Sequence, residues 1–153
     1  MTNNHFINMK ILIFVEKNII GLDHEVVVGV KEKLNHWIEN GAEIEFLTGI
    51  NKFMALKKLD DQIKEFGFSK PKIHDKKDEE KFVNVIRKIK PDLLIEKVGN
   101  SDEAKTFKEK LPGEIKVLLL EEDATLELLS DDPKELLAMA SEDPVEAIKD
   151  NTY

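Results

Sequence analysis

MKILIFV, residues 9–15, is the stretch that decides the fold. After Lys10 it is continuously apolar, as expected of a β-strand that is covered on both faces. Such a strand belongs in a parallel sheet with helices on both sides, because a sheet with one face in water alternates apolar and polar residues. The fold is therefore expected to begin at Met9, after a loose leader of residues 1–8.

Short apolar runs alternate with longer segments of helical period along the rest of the chain. This alternation predicts an α/β fold of the doubly wound, Rossmann-like type, with a mostly parallel five-stranded sheet and helices on both faces. Asp23 as N-cap and Gly41 as stop signal delimit the first helix. The predicted strands are 9–15, 43–47, 72–74, 92–96 and 115–120, and the predicted helices between them are 23–40, 52–66, 78–89 and 101–111.

The C-terminal part of the chain carries two helix-start signals. Asp132-Pro133 and Asp143-Pro144 each place an N-cap residue before a proline at the first helical position. They predict two short helices, 133–140 and 144–149. Since no linker or repeat interrupts the pattern, residues 9–153 are expected to form a single α/β domain.

Composition excludes several classes of site. The chain has no cysteine, which excludes disulfides, a thiolate nucleophile and Cys-ligated metals, and which fits a cytoplasmic protein. No apolar run reaches the roughly 18 residues that span a membrane.

Charge argues against nucleic acid as a partner. Residues 101–153 carry 15 acidic and 6 basic side chains, and no basic stripe balances them. Nucleic-acid binding is therefore not expected. The acidic region is either a solvated face or a docking surface for a protein partner, and homo-oligomer formation stays open.

Charged side chains follow several predicted strands, at the edge where parallel sheets bind ligands. Glu16 and Lys17 follow the first strand, Thr48 follows the second, and Glu96 and Lys97 follow the fourth. Carboxylates suit Mg²⁺ and lysines suit phosphate. Further candidates at the third and fifth strands are Lys72, His74, Lys76, Glu121 and Asp123.

Familiar catalytic motifs are missing from the sequence. There is no GxGxxG after the first strand, no GxxxxGK[ST] and no GxSxG, so standard dinucleotide, P-loop and serine hydrolase sites are not expected. The four histidines form no HExxH or other close zinc pair.

Two segments resemble the haloacid dehalogenase-like (HAD) superfamily, whose members are mostly Mg²⁺-dependent phosphohydrolases. HWIENGAEIEFLTG, residues 36–49, is similar to the helix and strand that end in the family's motif II threonine, here Thr48. KPDLLIE, residues 90–96, is similar to the family's last acidic strand. The resemblance implies a phosphoryl-binding role for Thr48 and a motif III lysine at Lys72 or Lys76.

The chain departs from the family at its decisive motif. The family places two aspartates after the first strand, one as nucleophile and one as general acid and base. A direct overlay puts Val15 and Lys17 at those positions, and Glu16 takes the first only if the alignment slides by one residue. After Glu96, Lys97 stands where the family has a metal-binding acid.

Three hypotheses follow from this pattern. The leading one is a non-catalytic HAD-like domain, without a cofactor, that binds a small anion or a protein partner through Lys17, Thr48, Lys72, Lys76 and Lys97. The enzyme alternative is a divergent Mg²⁺-dependent phosphohydrolase that uses Glu16 and Thr48 in catalysis and Glu16, Glu96, Glu121 or Asp123 as metal ligands. The third is a protein-interaction domain that works through its acidic C-terminal region.

Overall fold

A single parallel sheet forms the centre of the molecule. The computed structural model describes residues 8–68, 70–140 and 144–146. Its strands are β1 (Met9–Phe14), β2 (Ala42–Thr48), β3 (Ile73–Asp75), β4 (Leu93–Lys97) and β5 (Lys116–Leu120). They pair in the order β3-β2-β1-β4-β5, and every pair is parallel. The predicted doubly wound, Rossmann-like α/β fold is confirmed.

Helices cover both faces of this sheet. They are α1 (Val30–Glu39), α2 (Phe53–Lys64), α3 (Phe82–Ile89), α4 (Phe107–Lys110) and α5 (Pro133–Met139). Side chains of α1, α2 and α5 pack on one face, in a cluster that includes the fully buried Trp37. Side chains of α3 and α4 pack on the other face, around Phe14 and Phe107. No helix of the described residues is long and apolar enough to cross a membrane.

The predicted start of the first helix is wrong. The helix begins at Val30 and not near Asp23, and its N-cap is Gly29 with a φ of 83°. Asp23 does accept a backbone hydrogen bond, from the N–H of Glu25 at 3.0 Å, but this closes a local turn. The reason lies in the run of three valines at 26–28, because β-branched residues disfavour a helix and Gly29 then provides the left-handed start.

Other predicted helices are shorter or absent. The segment predicted as helix 101–111 contains a 3-10 turn over Ala104–Thr106 and the single turn of α4, and α3 starts four residues later than predicted. No helix begins at Pro144, because Val145 is extended. Its N–H donates to Leu119 O and its C=O accepts from Glu121 N, both at 2.8 Å. The remainder of that predicted helix and the leader up to residue 7 lie outside the described residues.

Candidate functional site

A cavity of about 750 Å³ lies at the carboxyl ends of β1, β2 and β4. Strand order reverses between β1 and β4, and this is the place where open parallel sheets bind ligands. We call it the strand-end cavity. Its apolar wall includes Phe14, Val15, Ile20, Leu22, Ile50, Ala55, Leu59 and Phe82, and its polar wall includes Glu16, Lys17, His24, Lys58, Gln62, Glu96, Asn100 and Ser101.

The turn after β1 directs Glu16 into this cavity. Lys17 adopts a left-handed backbone with a φ of 68°, and its N–H donates to Ile20 O at 2.8 Å. The N–H of Ile19 donates back to Val15 O at 2.9 Å. The chain therefore reverses tightly after the strand, with Val15 and Ile19 buried in the core while Glu16 stays partly exposed on the cavity wall.

Glu16 is held by the end of β2. The Thr48 hydroxyl donates a short hydrogen bond to Glu16 Oε2, and the N–H of Gly49 donates to Oε1 at 3.3 Å. Thr48 itself is fully buried, and its oxygen accepts from the N–H of Ile50 at 3.0 Å. The Thr48 hydroxyl is thus committed to protein partners, and the carboxylate of Glu16 is the group that meets the cavity.

Glu96 is the second carboxyl group on the wall, and it is only 1% exposed. Its Oε1 accepts three hydrogen bonds, from Asn18 Nδ2 at 3.1 Å, from Asn100 Nδ2 at 2.8 Å and from the backbone N–H of Lys97 at 2.7 Å. Burial raises the pKa of Glu96 to about 7, and the charge of nearby Glu16 adds to the rise, while the three donors work against it.

The proton of a neutral Glu96 has a defined place. Since three donors already face Oε1, a proton on this carboxyl belongs on Oε2, to which no described residue donates a hydrogen bond. Near neutral pH the group can therefore either donate a hydrogen bond into the cavity or, once ionised, accept one. Asn100 ties this arrangement to β1, because its Nδ2 also donates to Glu16 O at 2.7 Å.

Lys97 points away from the strand-end cavity. Its ammonium donates to the backbone oxygens of Glu121, Glu122 and Ala124 in the loop after β5, and only 3% of its surface is exposed. Burial lowers the pKa of Lys97, against the opposing charges of Glu122 and Asp123. The side chain of Lys97 therefore holds the loop after β5 in place, on the face of the sheet opposite to Glu96.

The remaining predicted residues do not gather at one place. Lys17 lines the cavity, with Nζ 3.4 Å from Glu122 Oε1. Lys76 lies over the ring of Phe82, with Nζ 5.3 Å from its centroid. Neither Lys72 nor the predicted metal ligands Glu121 and Asp123 line the cavity.

A second cleft, of about 550 Å³, opens beside β3 and contains Lys72. Its centre is Glu45, whose side chain is 2% exposed. His74 Nε2 lies 2.7 Å from Glu45 Oε1, and Lys10 and Lys72 lie 3.6 and 3.9 Å from Oε2. Burial raises the pKa of Glu45, but the hydrogen bond with His74 and the neighbouring charges outweigh it and leave the pKa lowered. His74 thus serves as a partner of a structural carboxylate.

Among the described residues, no group of three or more histidine, aspartate or glutamate side chains is arranged to hold a metal ion. Glu16 and Glu96 line the same cavity, whereas Glu121 and Asp123 do not line it. The two carboxyl groups by themselves make an incomplete set for Mg²⁺, which takes near-octahedral oxygen coordination.

Two of the residues that organise the site follow predicted strand ends but were not among the predicted ligands. Asn18 and Asn100 orient Glu96 from the loops after β1 and β4. A signal was available, because each asparagine follows a strand end within a few residues of a candidate carboxylate. The helix α2 also contributes to the wall, and the positions of strand ends give no indication of its residues Ala55, Lys58 and Gln62.

Comparisons of this chain with protein-family models, curated proteins and solved structures found no match.

Proposed function

We propose that this chain is a non-catalytic binding domain that takes up a small organic molecule in the strand-end cavity. One observation carries the proposal, namely a cavity of about 750 Å³ at the topological switch point. Its volume, its apolar wall and its few convergent polar groups are typical of small-molecule sites.

The arrangement of Glu16 and Thr48 argues against phosphoryl transfer. Thr48 is fully buried and donates its hydroxyl to Glu16, so a phosphoryl group could reach it only if Glu16 moved away. Val15, at the nucleophile position of the HAD-like overlay, is 1% exposed and has no nucleophilic atom. A HAD-like ancestry with loss of the chemistry is compatible with these features, and it stays part of the proposal.

The dispersed lysines favour an organic ligand over a small inorganic anion. Lys97 is tied to the loop after β5, Lys17 is paired with Glu122, and Lys72 lies in the second cleft. The predicted cluster of cationic ligand groups would need these side chains to converge. Of the three charged side chains that line the cavity at the strand ends, Lys17 is paired with Glu122, and the other two are the carboxyls of Glu16 and Glu96.

One observation favours the enzyme alternative. Glu16 contacts Thr48, and the family pattern places its nucleophilic carboxylate and its motif II threonine around one phosphoryl group. A divergent phosphohydrolase would therefore hydrolyse phosphate esters with Mg²⁺, and Glu16→Gln would abolish this turnover. That result would replace the binding proposal.

The test is an NMR titration of the labelled protein with a library of small organic fragments. We expect amide shifts at Lys17, Gly49 and Asn100, around the cavity. Ala55→Trp should weaken binding by placing an indole on the cavity wall. Ala138→Trp is the matched control, because both alanines are exposed helix residues and only Ala55 lines the cavity.

Two results would overturn the proposal. The first is a folded protein whose cavity amides respond to no fragment. The second is binding that maps elsewhere, for example to the described part of the acidic C-terminal region, with equal affinity in the two tryptophan variants. The latter would favour the protein-interaction alternative.

A further inference from the structure

We propose that the ligand of the strand-end cavity is a protonated amine on an apolar body, with its ammonium group held by Glu16 and Glu96. This inference rests on the proposed binding function and names its ligand class. It starts from the two carboxyl groups that share one wall of the cavity. Neither has a cationic side chain within ion-pair distance among the described residues.

The electrostatics of this wall favour a cation. Burial raises the pKa of Glu96, and the charge of Glu16 adds to the rise because it disfavours a second negative charge nearby. A cation placed beside both groups opposes both effects and favours the ionised form of Glu96. Its attraction is strong because the side chain of Glu96 is almost completely removed from water.

An ammonium group fits these acceptors better than a metal ion. It has three N–H donors, and the wall offers the carboxylate of Glu16, Oε2 of Glu96 and Oδ1 of Asn100, whose Nδ2 is used by Glu16 O and Glu96 Oε1. A divalent metal would need more ligands, and the described residues hold no group of three that could supply them.

The rest of the cavity requires an apolar body on the ligand. Ile50 and Leu59 line the wall from the β2–α2 side, and Phe14 and Phe82 lie edge to face with centroids 5.0 Å apart. Leu22 belongs to the same wall although it is 83% exposed. A hydrocarbon or aromatic body in the cavity would remove this apolar surface from water.

The positively charged side chains near the cavity are either paired with other groups of the protein or exposed to solvent. Lys17 is paired with Glu122, and Lys97 is held by backbone oxygens near Glu122 and Asp123 on the opposite face. His24 in the β1–α1 loop and Lys58 on α2 line the cavity but are exposed. Water and salt weaken the repulsion that these two exercise on a bound ammonium.

Proton release distinguishes this mode of binding. A neutral Glu96 must give up its proton to hold the ammonium, so affinity should increase with pH across the titration of that group. Calorimetry in two buffers of different ionisation enthalpy measures the protons released. The probes are phenylbutylamine, phenylbutanol and phenylbutyrate, which share the apolar body and differ in the head group.

We expect phenylbutylamine to bind about tenfold or more tightly than phenylbutanol at about pH 7.5, and to release close to one proton at about pH 6. Glu96→Gln should remove the proton release and the pH dependence, and Glu16→Gln should weaken the binding of the amine much more than that of the alcohol. Glu114→Gln, at an exposed glutamate outside the cavity, is the matched control.

The outcomes separate the two proposals. Equal binding of amine and alcohol, or tighter binding of phenylbutyrate, would overturn the amine inference and leave the binding function standing. Amine binding that is unchanged in both Glu16→Gln and Glu96→Gln would also overturn it. If none of the probes binds to the cavity of the folded protein while unrelated fragments do, the ligand class is wrong; if nothing binds there, the binding function itself fails.

Discussion

Glu96→Gln should stabilise the protein, and the gain should grow with pH. In the folded state the pKa of Glu96 is raised from 4.5 to about 7 because the carboxyl is buried beside Glu16. A raised carboxyl pKa means that the folded state binds the proton more tightly than the unfolded state. The destabilisation of the wild type by Glu96 is therefore absent below about pH 4.5, develops as pH rises from there to about 7, and is complete above about pH 7.

The size of the effect follows from the two pKa values. One pH unit between folded and unfolded pKa corresponds to about 1.4 kcal/mol, so a shift from 4.5 to about 7 costs the wild type about 3 kcal/mol at pH 8. Glutamine is the matched replacement, since its Oε1 can keep the three donors that now reach Glu96 Oε1. We expect the two proteins to be nearly equally stable at about pH 4.5 and to differ by about 3 kcal/mol at about pH 8.

Urea unfolding at a series of pH values measures this difference directly. The comparison of wild type and variant at each pH cancels the other titrating groups, which both proteins share. Glu114→Gln, at an exposed position, should follow the wild type throughout. Parallel stability curves for wild type and Glu96→Gln, at any constant separation, would refute the reasoning, because they would mean that the carboxyl has the same pKa in both states.

Three further changes test the supports of the site by the same unfolding assay. Lys97→Met should cost about 2 kcal/mol by leaving the carbonyl groups of the loop after β5 without their buried donor, and an unchanged stability would contradict that role. Glu45→Gln should lower the free energy of unfolding by about 1 kcal/mol at neutral pH, because it weakens the contact with His74. Since the folded pKa of Glu45 is lowered, this cost should fade as pH falls through that pKa. A cost that grows in acid would contradict this reasoning. Gly29→Ala should destabilise by more than about 1 kcal/mol, since φ is 83° and the new Cβ would clash with Cγ of Glu127. In a Glu127→Ala background only the backbone strain of about 1 kcal/mol should remain, and equal costs in both backgrounds would exclude the clash.

The strands were predictable because their signal is local. Residues 9–15 are apolar without interruption, and β1 occupies six of those seven positions. Helix starts depended on context that the sequence pattern did not contain. Asp23 has the chemistry of an N-cap, yet it closes a turn, because Val26 and Val27 pack against the core from an extended segment before the helix begins.

Strand ends indicate the edge of the sheet at which the site lies, but they do not indicate which of the selected residues share one cavity. The positions of strand ends selected Glu16 and Glu96, and both line the strand-end cavity, since the carboxyl ends of parallel strands meet at one edge. The same reasoning also selected Lys72, which lies in the second cleft. Position along a strand places a residue at an edge of the sheet, but it does not state which face its side chain occupies.

The pleat of β4 explains why Glu96 and Lys97 have unrelated roles. Successive side chains of a strand alternate between the faces of a sheet. Leu94 packs in the cluster with α3 and α4, and Ile95 packs in the opposite cluster with Ala124. Glu96 follows the side of Leu94, whereas Lys97 follows the side of Ile95 and reaches the backbone oxygen of Ala124. The ammonium of Lys97 therefore does not enter the strand-end cavity, and an acidic side chain at this position would lie on the same face as Ala124, away from Glu96. The carboxyl groups on the wall of the strand-end cavity are accordingly Glu16 and Glu96, whereas Lys97 holds the loop after β5 from the other face, although its charge still interacts with that of Glu96.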